Sequence, residues 1–416
     1  MKETFIKRWN DIAQIWINGL LELDSESSRN QISPRSNYKK AKKIFKEFVG
    51  DFFRVFKNSK IPQNKIWFLT LSKNNFDSLK NVQRKIPNSI FVSFLRLRDE
   101  GEKNNYYFTH SNKFFYDLIF PLAWIDYYFK NRTQGLKYYD LLFSVNGTYK
   151  ESLRLIKRSK PKIIIFANDH VTISRSLLLA ANKMGVKTYY IQHASVSNYF
   201  PPLVFKFSLL EGKDAYHKYL NCGETKSKVY LVGMSKFDSF IDRINRNTKV
   251  KSLGIAYNHM DNVTTISQFI ETIKKAHPEL LIITRPHPSD VRKIELPENV
   301  LLSDSKNEDA FSFLCKIDAL ITGDSSLHLE ATLLNVYSMY FEFTKTKLFD
   351  YYGFIKNGLV DYYSSINAIN IQLNNLKLYK PDIRNKASYY NAAIGSAFEG
   401  KSTEKIVDII LNTMDL

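Results

Sequence analysis

The stretch Lys160–Ser195, KPKIIIFANDHVTISRSLLLAANKMGVKTYYIQHAS, decides the fold class. Lys162 to Ala167 is a run of β-branched and aromatic residues and predicts a strand. Ser174 to Met184 carries a helical apolar pattern, Gly185 is placed to end that helix, and Lys187 to Gln192 predicts a second strand. A strand, a helix, a glycine and a strand within about 30 residues form a βαβ unit, the building block of a parallel sheet. The alternation extends in both directions. Upstream, Lys65–Leu71 and Ser89–Phe94 predict strands around a helical stretch that ends near Arg84, Leu141–Val145 predicts a short strand, and Tyr149–Arg158 predicts a helix. Downstream, Lys206–Leu210 and Lys228–Val232 predict strands. Asp238–Lys251 is polar and basic and predicts a linker, after which the pattern restarts. Ser252–Tyr257, Leu280–Thr284, Val300–Ser303, Ala319–Thr322 and Val336–Phe341 predict strands. Helices are expected at Thr264–Ala276, Ala310–Cys315 and Leu327–Leu334, with a helical tail at Ala387–Leu411.

The expected organisation is a basic helical segment over residues 1–60, a Rossmann-like half over 61–240, a second over 250–380 and a C-terminal helix over 387–412. Two α/β halves joined by a linker imply parallel sheets facing an interdomain cleft. Ligands in such sheets sit beyond the carboxyl ends of the strands. The length, 416 residues, suits two to three domains at roughly 150 residues each. A hydrophobic fraction of 44% and a charged fraction of 24% exclude a disordered chain. No segment reaches about 18 consecutive apolar residues, which argues against a spanning helix. Two cysteines, Cys222 and Cys315, exclude a disulfide framework and a cysteine-rich zinc site. The first residues lack the apolar core of a signal peptide. Together these features point to the cytoplasm.

Lys and Arg number 60 against 41 Asp and Glu, a net charge of +19. Such a field favours anionic partners: nucleic acid, an anionic membrane face or phosphorylated substrates. Trp9, Ile12, Ile15, Trp16 and Leu20 recur at helical spacing. Lys39, Lys40, Lys42, Lys43 and Lys46 follow, interleaved with Phe45, Phe48, Phe52 and Phe53. This basic-aromatic segment suits either packing on its own domain or rest on the cytoplasmic face of a membrane. Phe114–Phe129 predicts an aromatic helix that is buried or lies against a membrane interface. No zinc-finger, RNP or helix-turn-helix wording appears, and nucleic acid is not an expected partner.

Five of the eight histidines follow predicted strands: His170, His193, His259, His287 and His328. Imidazole titrates near neutrality, so it can donate to phosphate or accept a hydroxyl proton. No His-x3-His and no Asp-x-Asp pair occurs, which argues against a metal site, and no cofactor or metal is expected. In Arg285-Pro-His-Pro288 the two prolines stiffen the turn around His287, and Arg285 adds a bidentate phosphate ligand. Gly323-Asp324-Ser325-Ser326 leads into a helix, where the serines cap or bind an anion. Glu330 lies one turn in, placed to accept from ribose hydroxyls. Asn258 and His259 open the first loop of the second half and are placed to touch donor phosphate. In the first half, Asn168-Asp169-His170 and Gln192-His193 occupy neighbouring strand ends.

At these residues the chain resembles bacterial glycosyltransferases of the GT-B architecture, over roughly residues 160–345. The likeness is to surface-polysaccharide enzymes with a His-Pro motif followed by a Ser-Ser motif. These are the polysialyltransferases and sialyltransferases, the Kdo-transferase-like capsule enzymes, and the CDP-glycerol glycerophosphotransferases of teichoic acid synthesis. His287-Pro288 and Ser325-Ser326 match those motifs. The resemblance implies that they bind the nucleotide phosphate of a cytidine-activated donor, with no metal, while a surface glycan or lipid-linked glycan serves as acceptor. His193 is similar in placement to the catalytic histidine of the glycerophosphotransferases, though their Trp-His-Gly wording is absent. Asp169 is similar to the acidic base of the polysialyltransferases, though their acidic-acidic-Gly motif is absent. The resemblance leaves the base open between these two. It implies transfer from a CMP-sugar, with CDP-glycerol-type or UDP-sugar transfer as alternatives. A weaker likeness is to the non-hydrolysing UDP-N-acetylglucosamine 2-epimerases, whose paired glycines are missing here. A non-enzymatic polyanion- or membrane-binding protein is the alternative from another class.

Overall fold

The computed structural model describes residues 8–13, 30, 32–54, 60–94, 105–108, 110, 113–345 and 349–414. Ile15, Trp16 and Leu20 of the expected N-terminal helix lie outside them. The chain divides into two compact units, residues 1–232 with 403–416, and residues 233–402.

In the first unit, after a helical stretch at residues 8–13, helix α1 (Asn37–Arg54) and strand β1 (Ile66–Thr70) are followed by α2 (Lys73–Lys85), β2 (Ser89–Ser93) and β3 (Asn105–Tyr107). A helical region follows: α3 (Phe114–Asp117), α4 (Phe120–Lys130), α5 (Arg132–Lys137) and α6 (Tyr139–Ser159). The βαβ unit that decides the fold is β4 (Ile163–Phe166), α7 (Thr172–Lys183) and β5 (Lys187–Ile191), and Gly185 takes the left-handed conformation, φ +71°, that ends α7. Strand β6 (Phe207–Leu210), α8 (Lys213–Cys222) and β7 (Lys228–Leu231) complete a seven-stranded sheet, order β3-β2-β1-β4-β5-β6-β7, parallel throughout.

Side chains of β1 alternate between two cores. Trp67 and Leu69 join the α4–α6–α7 side, while Ile66 and Phe68 join the other. Such burial on both faces is what makes these strands read as continuous apolar runs. The second core is closed by the final helix, α13 (Ser402–Thr413), through Ile406, Val407 and Ile410. The expected tail helix therefore begins later than Ala387, because 384–389 is a short 3-10 segment followed by turns. The expected strand Leu141–Val145 is part of α6. Its run of buried residues is helical, and periodicity cannot separate a short buried strand from a buried helix. In Phe114–Phe129, Phe120 and Tyr127 are buried against Trp9, whereas the opposite face is exposed, so the expected burial holds for one side only.

The second unit begins at Gly233. Its φ is +79°, and an added Cβ would lie 2.6 Å from the Ala393 Cβ, so glycine is required there on both counts. The expected linker is folded: Ser235–Arg243 forms 3-10 turns whose Phe237 packs into the unit's core. Asn245 and Asn247 bond to Asp318 at 2.9 and 2.7 Å. Strand β8 (Ser252–Tyr257), α9 (Val263–Ala276), β9 (Leu281–Pro286), β10 (Val300–Leu302), α10 (Ala310–Leu314), β11 (Ala319–Thr322), α11 (Leu327–Leu333), β12 (Tyr337–Tyr340), β13 (Asp361–Tyr362) and α12 (Ile366–Leu378) follow. The six-stranded sheet, order β10-β9-β8-β11-β12-β13, is again parallel throughout.

Candidate functional site

In the second unit β8 lies between β9 and β11. All three run in the same direction, so the loops after Tyr257, Pro286 and Thr322 emerge at one edge of one sheet. That edge carries Asn258-His259, His287-Pro288 and Gly323-Asp324-Ser325-Ser326.

The Asn258 loop is held by its own polar groups. The Asn258 N–H donates to Asp261 Oδ2 at 2.8 Å, and the Asn258 side-chain oxygen accepts from the Met260 N–H at 2.8 Å. The Ser-Ser loop lies against it, since a Cβ built on Gly323 would stand 3.8 Å from Asp261 Oδ1. Arg292 fastens this loop to the His-Pro loop. Its guanidinium donates to the carbonyls of Asp261 and Asn258, each at 2.7 Å, and forks onto Asp290 at 2.9 and 2.7 Å. Bidentate pairing of this kind fixes geometry as well as charge. Burial pushes the Asp261 carboxyl up, to about 6, while the Asn258 N–H and Arg292 act against that rise. The sequence reading missed Arg292, Asp261 and Asp290. Charged residues in the turns just after β8 and β9 are the signal that was available.

His287 is exposed, and its ring centroid stands 6.4 Å from that of His259. The His287 Nδ1 accepts from the Ser289 N–H at 3.2 Å and lies 2.7 Å from the Ser289 hydroxyl. A neutral imidazole has one donor and one acceptor nitrogen. With Nδ1 accepting, Nε2 carries the hydrogen. The His287 pKa is lowered, first by partial desolvation of the ring against its neighbours and then by His259, with Asp290 acting against the shift and Arg285 adding to it. The ring is therefore a neutral N–H donor at neutral pH.

Ser325 and Ser326 are half-exposed. Ser325 Oγ accepts from the Leu327 N–H at 3.3 Å, and Ser326 makes no side-chain capping bond. The Asp324 Oδ2 accepts from the Tyr351 N–H at 2.8 Å. Three expectations are corrected. Arg285 is buried: it donates to Ser303 Oγ at 2.7 Å and the Glu308 carbonyl at 2.8 Å, and it covers the Phe313 ring. It holds β9 to the segment that follows β10 and is not placed as a phosphate ligand. Glu330 is also buried, and its carboxylate bonds Lys236 rather than opening to solvent. His328 is a core residue, bonded through Nε2 to the Gly323 carbonyl at 2.9 Å and through Nδ1 to Ser338 at 2.7 Å.

His328 sets a pH dependence. Burial pushes it down from 6.5 to about 4. Between those values the unfolded chain binds more protons than the folded one, so stability falls as pH drops through that window and is unaffected above it. His110, buried and pushed down to about 3, adds to the effect. The melting temperature should fall from pH 6.5 toward 4, and His328→Gln should make that fall shallower. An identical slope in the variant would show that His328 is not titrating in this way.

In the first unit, Asp169-His170 and Gln192-His193 end the adjacent strands β4 and β5. Asp169 is 1% exposed, and both carboxylate oxygens are engaged. Oδ1 lies 2.8 Å from His170 Nδ1, and Oδ2 accepts from the Tyr219 hydroxyl at 2.6 Å. Burial alone would raise the Asp169 pKa, but His170, Tyr219 and the Arg175 guanidinium hold it below the usual carboxylate range. Asp169 is thus an ionised, enclosed acceptor, which corrects its expected role as a base in contact with an acceptor. A carboxylate accepts only, so the His170 Nδ1 carries a hydrogen, and in the neutral ring the lone pair is at Nε2. The His170 ring, 20% exposed, packs on Phe200 with centroids 4.4 Å apart. His193 is half-buried, in a turn that Gln192 fixes by bonding the Glu211 N–H at 2.9 Å and the Ala194 carbonyl at 3.0 Å.

No protein-family model matches the chain. Among curated proteins it is 24% identical, over 271 residues and 59% of its length, to the provisionally assigned cysteine desulfurase PbSufS of Plasmodium berghei (strain Anka). The chain spans about half the length, 46%, of that relative, and the likeness does not show a family. Solved structures are more telling. UDP-GlcNAc 2-epimerase from Neisseria meningitidis bound to UDP-GlcNAc superposes with a TM-score of 0.54 at 14% identity, over 84% of this chain and 100% of that one. The wall teichoic acid polymerase TagF soaked with CDPG superposes with a TM-score of 0.54 at 12% identity, over 91% and 98%. The fold is GT-B-like. A glycosyltransferase of kitacinnamycin also superposes, with a TM-score of 0.50 at 10% identity over 85% and 99%. At such identities the GT-B-like likeness shows architecture: two α/β domains, each on a parallel sheet, an arrangement that sugar-transferring and sugar-epimerising enzymes share.

Proposed function

We propose that the chain is a glycosyltransferase that moves a sugar from a cytidine-activated donor, such as a CMP-linked acidic sugar, to a surface glycan. The observation that carries this reading is the delivery of Asn258-His259, His287-Pro288 and Ser325-Ser326 by three neighbouring strands to one sheet edge. The cytidine preference rests on the His-Pro and Ser-Ser motifs. TagF, a polymerase soaked with CDPG, is a fold relative that fits it.

The two imidazoles supply opposite chemistry. His170 offers a lone pair at Nε2, with Asp169 orienting the ring and balancing the charge gained on protonation. His287 offers an N–H at Nε2. In the proposed step the acceptor hydroxyl oxygen forms the new bond to the sugar's anomeric carbon, and its proton passes to His170. The bond from that carbon to the nucleotide phosphate breaks, with its electron pair leaving on phosphate. His287 N–H and the Ser325 and Ser326 hydroxyls meet the growing charge, as preorganised donors do. His193 is the alternative base. Asn258 and His259 complete the phosphate-binding edge. No cofactor or metal is invoked.

The test is to incubate the protein with CMP-, CDP- and UDP-activated donors and a glycan acceptor and to identify the nucleotide released. Acceptor-dependent release of CMP or CDP is expected. Release of UDP alone would remove the cytidine assignment. The epimerase reading is favoured by a superposition as good as that of TagF, and it predicts interconversion of a UDP-sugar with no acceptor present.

A further inference from the structure

We infer that the outer face of α3–α4, together with the lysine face of α1, docks on an anionic lipid surface. The inference rests on that surface alone and names a partner for the first unit, independent of the proposed transfer chemistry.

Leu118 and Ile119 link α3 to α4 with near-helical backbone angles, φ −59° and ψ −31°, then φ −95° and ψ 2°. The segment is thus almost one helix. Its inner side is fixed: Phe120 and Tyr127 pack on Trp9, and Trp124 Nε1 donates to the Gly135 carbonyl at 3.0 Å. Its outer side presents Leu118 at 60% exposure, Leu122 at 73%, Ile125 at 45% and Phe129 at 80%. The spacing of four, three and four places them in one stripe. A surface helix ordinarily turns polar residues outward, and isolated exposed apolar residues mean little, but a continuous stripe marks an interaction surface.

Charge selects the partner. Helix α1 packs beside α3 and α6. Both acids of α1, Glu47 and Asp51, turn inward onto the buried Lys113, the Asp51 pair at 3.2 Å. Asp117 of α3 is buried as well. Lys39, Lys42 and Lys46 stay exposed, beside the exposed Phe45. The carboxylates are withdrawn and the ammonium groups left outside; Asp126, paired with Lys130 at 3.4 Å, is the exception on the apolar helix. Leu118, Leu122 and Ile125 give a nucleic acid nothing to stack on, which leaves Phe129 as the one aromatic ring among the four stripe residues. A second copy would bring like charge against like in a chain of net charge +19. A bilayer offers an apolar layer under anionic headgroups, which matches both features. No helix among the described residues is long and apolar enough to cross a membrane, so this surface lies in the interface plane.

The test is co-sedimentation of the full chain with phosphatidylcholine vesicles, with and without phosphatidylglycerol. Binding to the phosphatidylglycerol vesicles is expected, weakening as salt is raised. Leu122→Asp with Phe129→Asp should cut partitioning by at least about tenfold, on the area-dependence of interfacial binding. Melting temperature and nucleotide binding should be unchanged. Lys39→Glu with Lys42→Glu and Lys46→Glu should remove the dependence on phosphatidylglycerol. Failure of the wild type to bind either vesicle, or binding that ignores the Leu122 and Phe129 changes, would overturn the inference. A wild-type dimer that the same pair splits into monomers would overturn it too, by showing that a second copy covers the face.

Discussion

His287→Ala should lower turnover by about 10²–10³-fold, the usual cost of removing one donor from a charge-stabilising site, while the melting temperature stays within about a degree of wild type, as for surface substitutions generally. The side chain is exposed and, among the described residues, bonds only Ser289 two residues on, so the fold loses little when it goes. The loss would fall on the departing phosphate, which would miss the Nε2–H. Arg285→Ala, in the same Arg-Pro-His-Pro run, should behave in the opposite way. It empties a buried site, orphans Ser303 and the Glu308 carbonyl, and should lower the melting temperature first. Wild-type turnover in His287→Ala, measured by nucleotide release, would reject its role at the leaving group.

His170→Ala should cost about 10²–10⁴-fold in turnover, the range for a positioned general base, with donor binding intact. Asp169→Asn should come close to the same loss. An asparagine that presents its N–H₂ to the ring forces Nδ1 to accept, moves the hydrogen to Nε2 and removes the lone pair the reaction uses. Because Asp169 is buried and also accepts from Tyr219, that variant should lose stability as well, and His170→Ala, which leaves Asp169 Oδ1 without its imidazole partner, should lose some too. Turnover measured below the melting transition of each variant, with donor binding intact, isolates the chemistry. Retained activity in His170→Ala with loss in His193→Ala would assign the base to His193.

The parallel-sheet architecture was legible because the central strands of each sheet are buried on both faces and read as short apolar runs. Ser252–Tyr257 and Ala319–Thr322 carry the same bounds in sequence and structure. The elements that went unread lack that signal. Strand β13 is two exposed residues, β3 is three half-buried ones, and α12 is rich in Asn and Ile, which are mediocre helix formers. Leu141–Val145 went wrong for the converse reason, since burial all round erases helical period. At the site, strand ends marked where His287, Ser325 and His259 would stand. What they could not show was direction. Arg285, near the end of β9, and His328, in the first turn of α11, adjoin those loops yet turn inward, a difference set by Phe313, Ser303 and Ser338 on later segments. The pairing of Asp169 with His170 was adjacent in sequence, but Tyr219, 50 residues on, supplies the bond that encloses it.

Binding at the second unit's sheet edge is most directly measured by calorimetric titration of CMP, CDP, UMP and AMP into the wild-type protein and His287→Ala. The wild type should bind CMP or CDP more tightly than UMP or AMP, and His287→Ala should weaken that binding by about tenfold or more, as loss of a hydrogen bond to a charged group does. Equal affinity for all four nucleotides, or cytidine nucleotide binding unchanged in His287→Ala, would contradict the site proposed here.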